Sequence, residues 1–271
     1  MPAAGRQSRR VNSIATAKGR IGISEQGSGD TPIVFLHGVG SDKTVWSPQL
    51  AHFGRTRRAA AFDYPGYGDS DPAPAGTTRD DYAAAILAGM DSLGIERAHI
   101  CGLSLGGVIA IAIHAAASER CASLILADTF AVHPDGPGIY ERSLAGSANL
   151  RAMAEARVDF LLAAGALDDV RSEVVETMAK IDPAAYRIGA EAVWLADQRE
   201  RAAAIDVPTL VIVGEEDRAT PPGLSEELAA VVPGARLETI AGAGHISNLE
   251  RPAEFDRHVE DFIRSVESRP L

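Results

Sequence analysis

Two patterns of apolar positions alternate along the chain. Short runs such as Ile33-Val34-Phe35-Leu36 and Thr209-Leu210-Val211-Ile212-Val213 carry no polar alternation, as expected of strands covered by helices on both faces. Longer Ala-rich stretches with helical spacing separate them. The pattern predicts strands near 12–17, 20–25, 33–37, 58–63, 97–101, 122–127, 207–213 and 235–240, the first two joined as a hairpin about Ala17-Lys18-Gly19. Helices are predicted near 45–52, 79–93, 105–117, 223–231 and 252–267, from apolar positions three and four residues apart. Strands that alternate with helices read as βα units. The expected class is therefore α/β: a mostly parallel eight-stranded sheet flanked by helices, with an antiparallel edge.

The rhythm breaks over 131–203. This stretch holds several Ala-rich helical segments, the turn-forming His133-Pro134-Asp135-Gly136-Pro137-Gly138, and no convincing strand. It reads as a helical lid, or cap, inserted into a core made of 1–130 and 204–271. A lid over one end of a sheet would shape a pocket and exclude water.

Composition narrows the classes further. With 271 residues, 46% hydrophobic and 23% charged, the chain has enough apolar surface for one sizeable core. The longest apolar runs, such as Val108 to Ile113, fall well short of the roughly 18 residues a membrane span needs. Arg6, Arg9 and Arg10 have no apolar run behind them, so Met1 to Ser13 reads as a short disordered arm rather than a secretory signal. Two cysteines, Cys101 and Cys121, cannot build a disulfide framework, and a cytoplasmic location is expected. A formal charge of −11 argues against nucleic acid and anionic membranes as partners. A small molecule is the default partner.

The strongest chemical signal is Gly102-Leu103-Ser104-Leu105-Gly106-Gly107, which follows a predicted strand and opens a predicted helix. A sharp strand-to-helix turn flanked by glycines exposes the serine hydroxyl, so Ser104 is the candidate nucleophile. Serine needs a base. Of seven histidines, His245 in Gly242-Ala243-Gly244-His245 follows the last predicted strand. His37 belongs to a different loop, His114 lies in an apolar helix, and His52, His99 and His258 sit near element surfaces or ends. The base needs an orienting carboxylate. Asp217 follows Val211-Ile212-Val213-Gly214 and suits that place, with Asp128 as a rival and Glu215 and Glu216 still open. His37-Gly38-Val39-Gly40 follows a buried strand and suits an oxyanion loop, whose donors would be the backbone amides of Val39 and Leu105.

These parts, with Asp63-Tyr64-Pro65-Gly66-Tyr67-Gly68-Asp69-Ser70, resemble the α/β-hydrolase fold superfamily from about residue 20 to 267. The resemblance implies a Ser104, Asp217, His245 triad, a carboxylic ester or lactone substrate, and no cofactor or metal. Within it, Gly102 to Gly107, Ala219-Thr220-Pro221-Pro222 and Gly244-His245-Ile246-Ser247-Asn248-Leu249-Glu250 are similar to β-ketoadipate enol-lactone hydrolases. That group usually has Arg before the first glycine of the Gly66 loop, where this chain has Tyr64-Pro65, and His in place of Tyr67. Related proteins with the same triad hydrolyse C–C bonds or act as perhydrolases, and some bind ligands without turnover. Trp46 reads as packing, and Trp194 is a candidate substrate-binding residue. Arg142, Arg151, Arg157, Arg187 and Arg199 read as a solvated lid surface, from which spacing cannot pick one to face a substrate carboxylate.

Overall fold

The computed structural model describes residues 12–29 and 31–268. The arm expected at Met1 to Ser13 thus lies outside the described residues, except for Asn12 and for Ser13, which opens the first strand. The strands are β1 (Ser13–Thr16), β2 (Gly19–Gln26), β3 (Ile33–Leu36), β4 (Ala59–Phe62), β5 (Ala98–Leu103), β6 (Cys121–Ala127), β7 (Thr209–Gly214) and β8 (Arg236–Ile240). They form one sheet in the order β1-β2-β4-β3-β5-β6-β7-β8. β1 pairs antiparallel with β2, and β2 with β4, whereas every later pairing is parallel.

The helices in chain order are α1 (Ser47–Phe53), α2 (Arg79–Ser92), α3 (Leu105–Ala116), α4 (Gly136–Gly146), α5 (Leu150–Leu161), α6 (Asp168–Met178), α7 (Pro183–Trp194), α8 (Arg199–Ala203), α9 (Pro222–Val231), α10 (Ser247–Glu250) and α11 (Pro252–Glu267). Strand side chains alternate between two helical layers. Ile33, Phe35, Ala59, Ala61, Cys101 and Ile212 pack with α1 and α11 on one face. Val34, Leu36, Ala60, Phe62, Ile100 and Val211 pack with α2, α3 and α9 on the other. Both faces are covered, which is why the central strands read as unbroken apolar runs. Helix α11 buries Phe255, Val259, Phe262 and Ile263, the spacing of one helical stripe. Trp46 stacks on Phe35 at 4.8 Å between ring centroids and is a core residue.

Between β6 and β7 the described residues hold five helices, α4 to α8, and one isolated bridge, Val132 to Asp197. Leu150, Met153, Met178, Tyr186 and Trp194 from this segment are buried in the same cluster as α2 and α3. The loops after β3, β5, β6, β7 and β8 all leave the sheet at its carboxyl edge, where open α/β sheets bind ligands.

One tight point of the fold, and the one that places Ser104, is the crossing of β5 and α3 beneath β3. A Cβ on Gly102 would lie 2.1 Å from the Gly106 carbonyl oxygen, and one on Gly106 would lie 2.1 Å from that of Leu36. Both obstacles are backbone, which cannot swing aside. We expect Gly106→Ala to lower unfolding stability in urea by roughly 1–3 kcal/mol through overpacking, although alanine is the better helix former by about 1 kcal/mol. An unchanged midpoint would show that β3 and α3 can separate freely.

Candidate active site

Ser104 is the last residue before α3 and has φ +54° and ψ −114°. A side chain in this region is strained by an order of 1–3 kcal/mol, so the surroundings must hold it there. The Ser104 amide donates to the Ala127 carbonyl at 2.9 Å, and the Thr129 hydroxyl donates to the Ser104 carbonyl at 2.8 Å. The turn is thus fastened to the end of β6 on both sides. The Ser104 hydroxyl is buried and has no hydrogen-bond partner within the protein.

His245 lies in the loop between β8 and α10. Its Nδ1 is 2.8 Å from Asp217 Oδ2, and since a carboxylate only accepts, Nδ1 carries the proton and Nε2 is left as the acceptor nitrogen. Asp217 also accepts from the Ala219 amide at 2.8 Å, the Thr220 amide at 2.9 Å and the Thr220 hydroxyl at 2.7 Å. Four donors thus surround one buried carboxylate. Burial lowers the pKa of His245, but the Asp217 charge and hydrogen bond outweigh it, and the net direction is upward.

The rival acids face elsewhere. Asp128, with φ +46°, accepts from the Gly214 amide at 2.8 Å and the Ser247 hydroxyl at 2.5 Å. It ties the end of β7 to the loop carrying His245. Burial pushes its carboxyl pKa up, and the Asp217 charge pushes it further. Glu215 accepts from the Gly242 amide at 3.2 Å and Glu216 from the Ala164 amide at 3.4 Å. Of the other histidines, His99 lies at the start of β5, an element end as expected, and is fully buried, with Nδ1 2.7 Å from Ser123 Oγ. His114 Nε2 lies 2.9 Å from Asp206.

Beside the His37 to Gly40 loop, buried Lys43 and Asp63 form a charge cluster with the more exposed Asp69. Asp63 Oδ1 accepts from the Lys43 amide at 2.8 Å, and Lys43 Nζ lies 2.6 Å from both Asp63 and Asp69. The Asp63-to-Ser70 motif was visible, but its lysine partner lies in a separate loop. Tyr64 donates its hydroxyl to the His37 carbonyl at 3.0 Å, and the His37 ring packs on Tyr64 at 4.4 Å and Tyr67 at 5.1 Å. The two tyrosines that depart from the enol-lactone hydrolase pattern therefore support this loop. Among the described residues, the amides of Val39 and Leu105 have no acceptor.

A cavity with about 730 Å³ of empty space, its open mouth included, is lined by Ser104, His245, Val39 and Trp194. Its walls are mostly apolar, with Leu161 and Met178 from the inserted helices. Trp194 is buried and stacks on Phe130 at 5.9 Å. Arg157 also lines the cavity, which corrects its expected place on a solvated surface. No helix among the described residues is long and apolar enough to cross a membrane.

Comparison with known proteins agrees with this architecture. Residues 33–257 match the model of a family described as the alpha/beta hydrolase family. The chain is 30% identical over 239 residues to 3-oxoadipate enol-lactonase 1 of Acinetobacter baylyi, covering 87% of this chain and 89% of that one. It is 29% identical over 268 residues to a 2-hydroxy-6-oxononadienedioate/2-hydroxy-6-oxononatrienedioate hydrolase of Cupriavidus pinatubonensis, covering 90% of each. The crystal structure of the enol-lactonase from Burkholderia xenovorans superposes with a TM-score of 0.87 at 30% identity, over 93% of this chain and 99% of that one.

The buried pair makes a prediction about titration. The His245 ring, followed by NMR, should titrate above its ordinary value of 6.5. In Asp217→Asn the opposing carboxylate is gone while burial remains, so the midpoint should fall. A midpoint that does not move would show that Asp217 is not the group acting on His245.

Proposed function

Since the chain belongs to the alpha/beta hydrolase family, we propose that it is a serine hydrolase that cleaves a carboxylic ester or lactone of a small molecule through an acyl-enzyme. The observation that carries this reading is the 2.8 Å bond from His245 to Asp217 beside a strained, unpartnered Ser104 hydroxyl, with His245 and Ser104 lining one cavity. The similarity to two enol-lactonases supports a lactone among the substrates.

In this mechanism the Ser104 Oγ attacks the carbonyl carbon while His245 Nε2 takes its proton. The developing oxyanion lies against the free amides of Val39 and Leu105, at the N-terminus of α3, where backbone dipoles favour negative charge. Collapse breaks the C–O bond, and the leaving oxygen takes the proton from His245. Water then attacks the acyl group with His245 again as base, and Ser104 is released. Asp217 holds the Nδ1–H tautomer throughout and stabilises the imidazolium.

The helices of 131–203 act as a lid that closes the cavity from above and excludes water, and Trp194 forms part of the wall against which the substrate packs. No metal or cofactor is needed by this chemistry. A cytoplasmic location belongs to the same reading, supported by two buried cysteines that are not bonded to each other. A second reading, C–C bond hydrolysis by the same residues, is kept by the similarity to the Cupriavidus dioate hydrolase.

Kinetics on a panel of short esters, simple lactones and an enol-lactone test the proposal. Ser104→Ala and His245→Ala should each lower kcat by roughly 10³- to 10⁶-fold, and Asp217→Asn by a comparable or smaller factor. Full activity in any one of them would remove that residue from the mechanism. Turnover of vinylogous diketones, with esters and lactones untouched, would favour the second reading.

A further inference from the structure

The inserted helices bring seven arginines to the molecule, and the structure separates one from the rest. Arg142 pairs with Asp135 at 2.7 Å, Arg151 with Glu176 at 2.7 Å, and Arg201 with Asp80 at 2.6 Å. Arg171 pairs with Asp159, and Arg199 with Asp197 at 2.5 Å. Arg187 donates to Ser147 Oγ at 2.7 Å. Arg157 has no carboxylate within 4.0 Å among the described residues, and it alone of the seven lines the cavity that holds Ser104 and His245.

Its position relative to the reacting groups is fixed by the backbone. Arg157 sits on α5 one turn before Leu161, on the same helix face. The Leu161 carbonyl accepts from the His245 amide at 2.7 Å. Just beyond, the Ala163 amide donates to Glu250 Oε2 at 2.7 Å, and Glu250 Oε1 accepts from the Gly244 amide at 3.0 Å. The end of α5 and the histidine loop therefore form one hydrogen-bonded unit. The guanidinium charge acts on His245 and on buried Tyr186, which also lines the cavity. The other charged lining group, Glu173, stands beside Asp42.

A guanidinium that faces a mostly apolar cavity and has no carboxylate within 4.0 Å of it is a ready partner for an anion, through two parallel charge-assisted bonds. We propose that Arg157 is a specificity-determining residue that holds a free carboxylate on the substrate, so that the preferred ester or lactone carries a second, ionised carboxyl group. This rests on the hydrolase reading above and deepens it. Arg142, Arg151 and Arg199, already neutralised on the surface, cannot take this part.

The test compares kcat/KM for carboxylate esters and matched neutral esters. One series is the monomethyl esters of glutaric, adipic and pimelic acids, and a second is 3-acetoxypropanoate and 4-acetoxybutanoate. Each is paired with the neutral ester in which isopropyl replaces the carboxylate. The unsubstituted protein should prefer the anionic member roughly 10- to 100-fold in at least one pair, the worth of a hydrogen-bonded charge. Arg157→Gln should collapse that ratio toward one, chiefly through KM. Arg142→Gln, which removes the same charge away from the cavity, should keep it.

A ratio near one in every pair for the unsubstituted protein, or a ratio that survives Arg157→Gln, overturns the proposal. Neutral-ester turnover lost in Ser104→Ala would still leave the hydrolase reading standing. Absence of turnover in both classes would bring down the two together.

Discussion

The arrangement of this molecule depends on one close approach, that of strand β5 to helix α3 under the end of β3. Two backbone carbonyls stand where Cβ atoms of Gly102 and Gly106 would be, so the helix can start directly below the sheet edge only because those positions have no side chain. The turn between them forces Ser104 to φ +54°. That strain is balanced by bonds to β6 through Ala127 and Thr129. Because α3 starts there, the Leu105 amide is free at the same point. The position of one hydroxyl and one amide thus follows from steric exclusion in the core.

The carboxyl edge of the sheet then has to bury Asp128, Asp217 and Glu250 around one histidine. An unpaired buried carboxylate is among the costliest groups a fold can hold, and each of the three is met by backbone amides. Those that meet Asp128 and Glu250 come from other elements, so satisfying these two carboxyls also binds the elements together. Asp128 joins β6 to β7 and to the histidine loop. Glu250 joins the histidine loop to the end of α5. His245 is held between them with its Nδ1 on Asp217, and the residue on α5 that faces the cavity is held with it. Electrostatic satisfaction and the alignment of the site are one network.

Much of this was readable from the residues. Strands buried on both faces announce themselves as apolar runs, and strand ends place Ser104, Asp217, His245 and the His37 loop at a common edge before any coordinate is known. Three features were not readable. Asp128 and Asp217 both follow strands, and what separates them is their partners: the Asp128 carboxyl accepts from Gly214 and Ser247, whereas Asp217 meets the imidazole. The arginines of 131–203 share one composition and one helical setting, and only tertiary packing puts Arg157 on the cavity. The same holds for Lys43, whose partners Asp63 and Asp69 lie in another loop. Local pattern reports which face of an element is apolar, whereas the partner of a polar side chain is decided by elements distant in sequence.

The central claim is that Ser104 forms a covalent acyl intermediate. Its most direct test is to treat the protein with a fluorophosphonate ester, measure the intact mass and map the modified peptide. The account predicts one phosphonyl group per chain, carried on Ser104 and absent when His245 is replaced by alanine. Ester turnover that continues with no label on Ser104, or with the label on another residue, would contradict it.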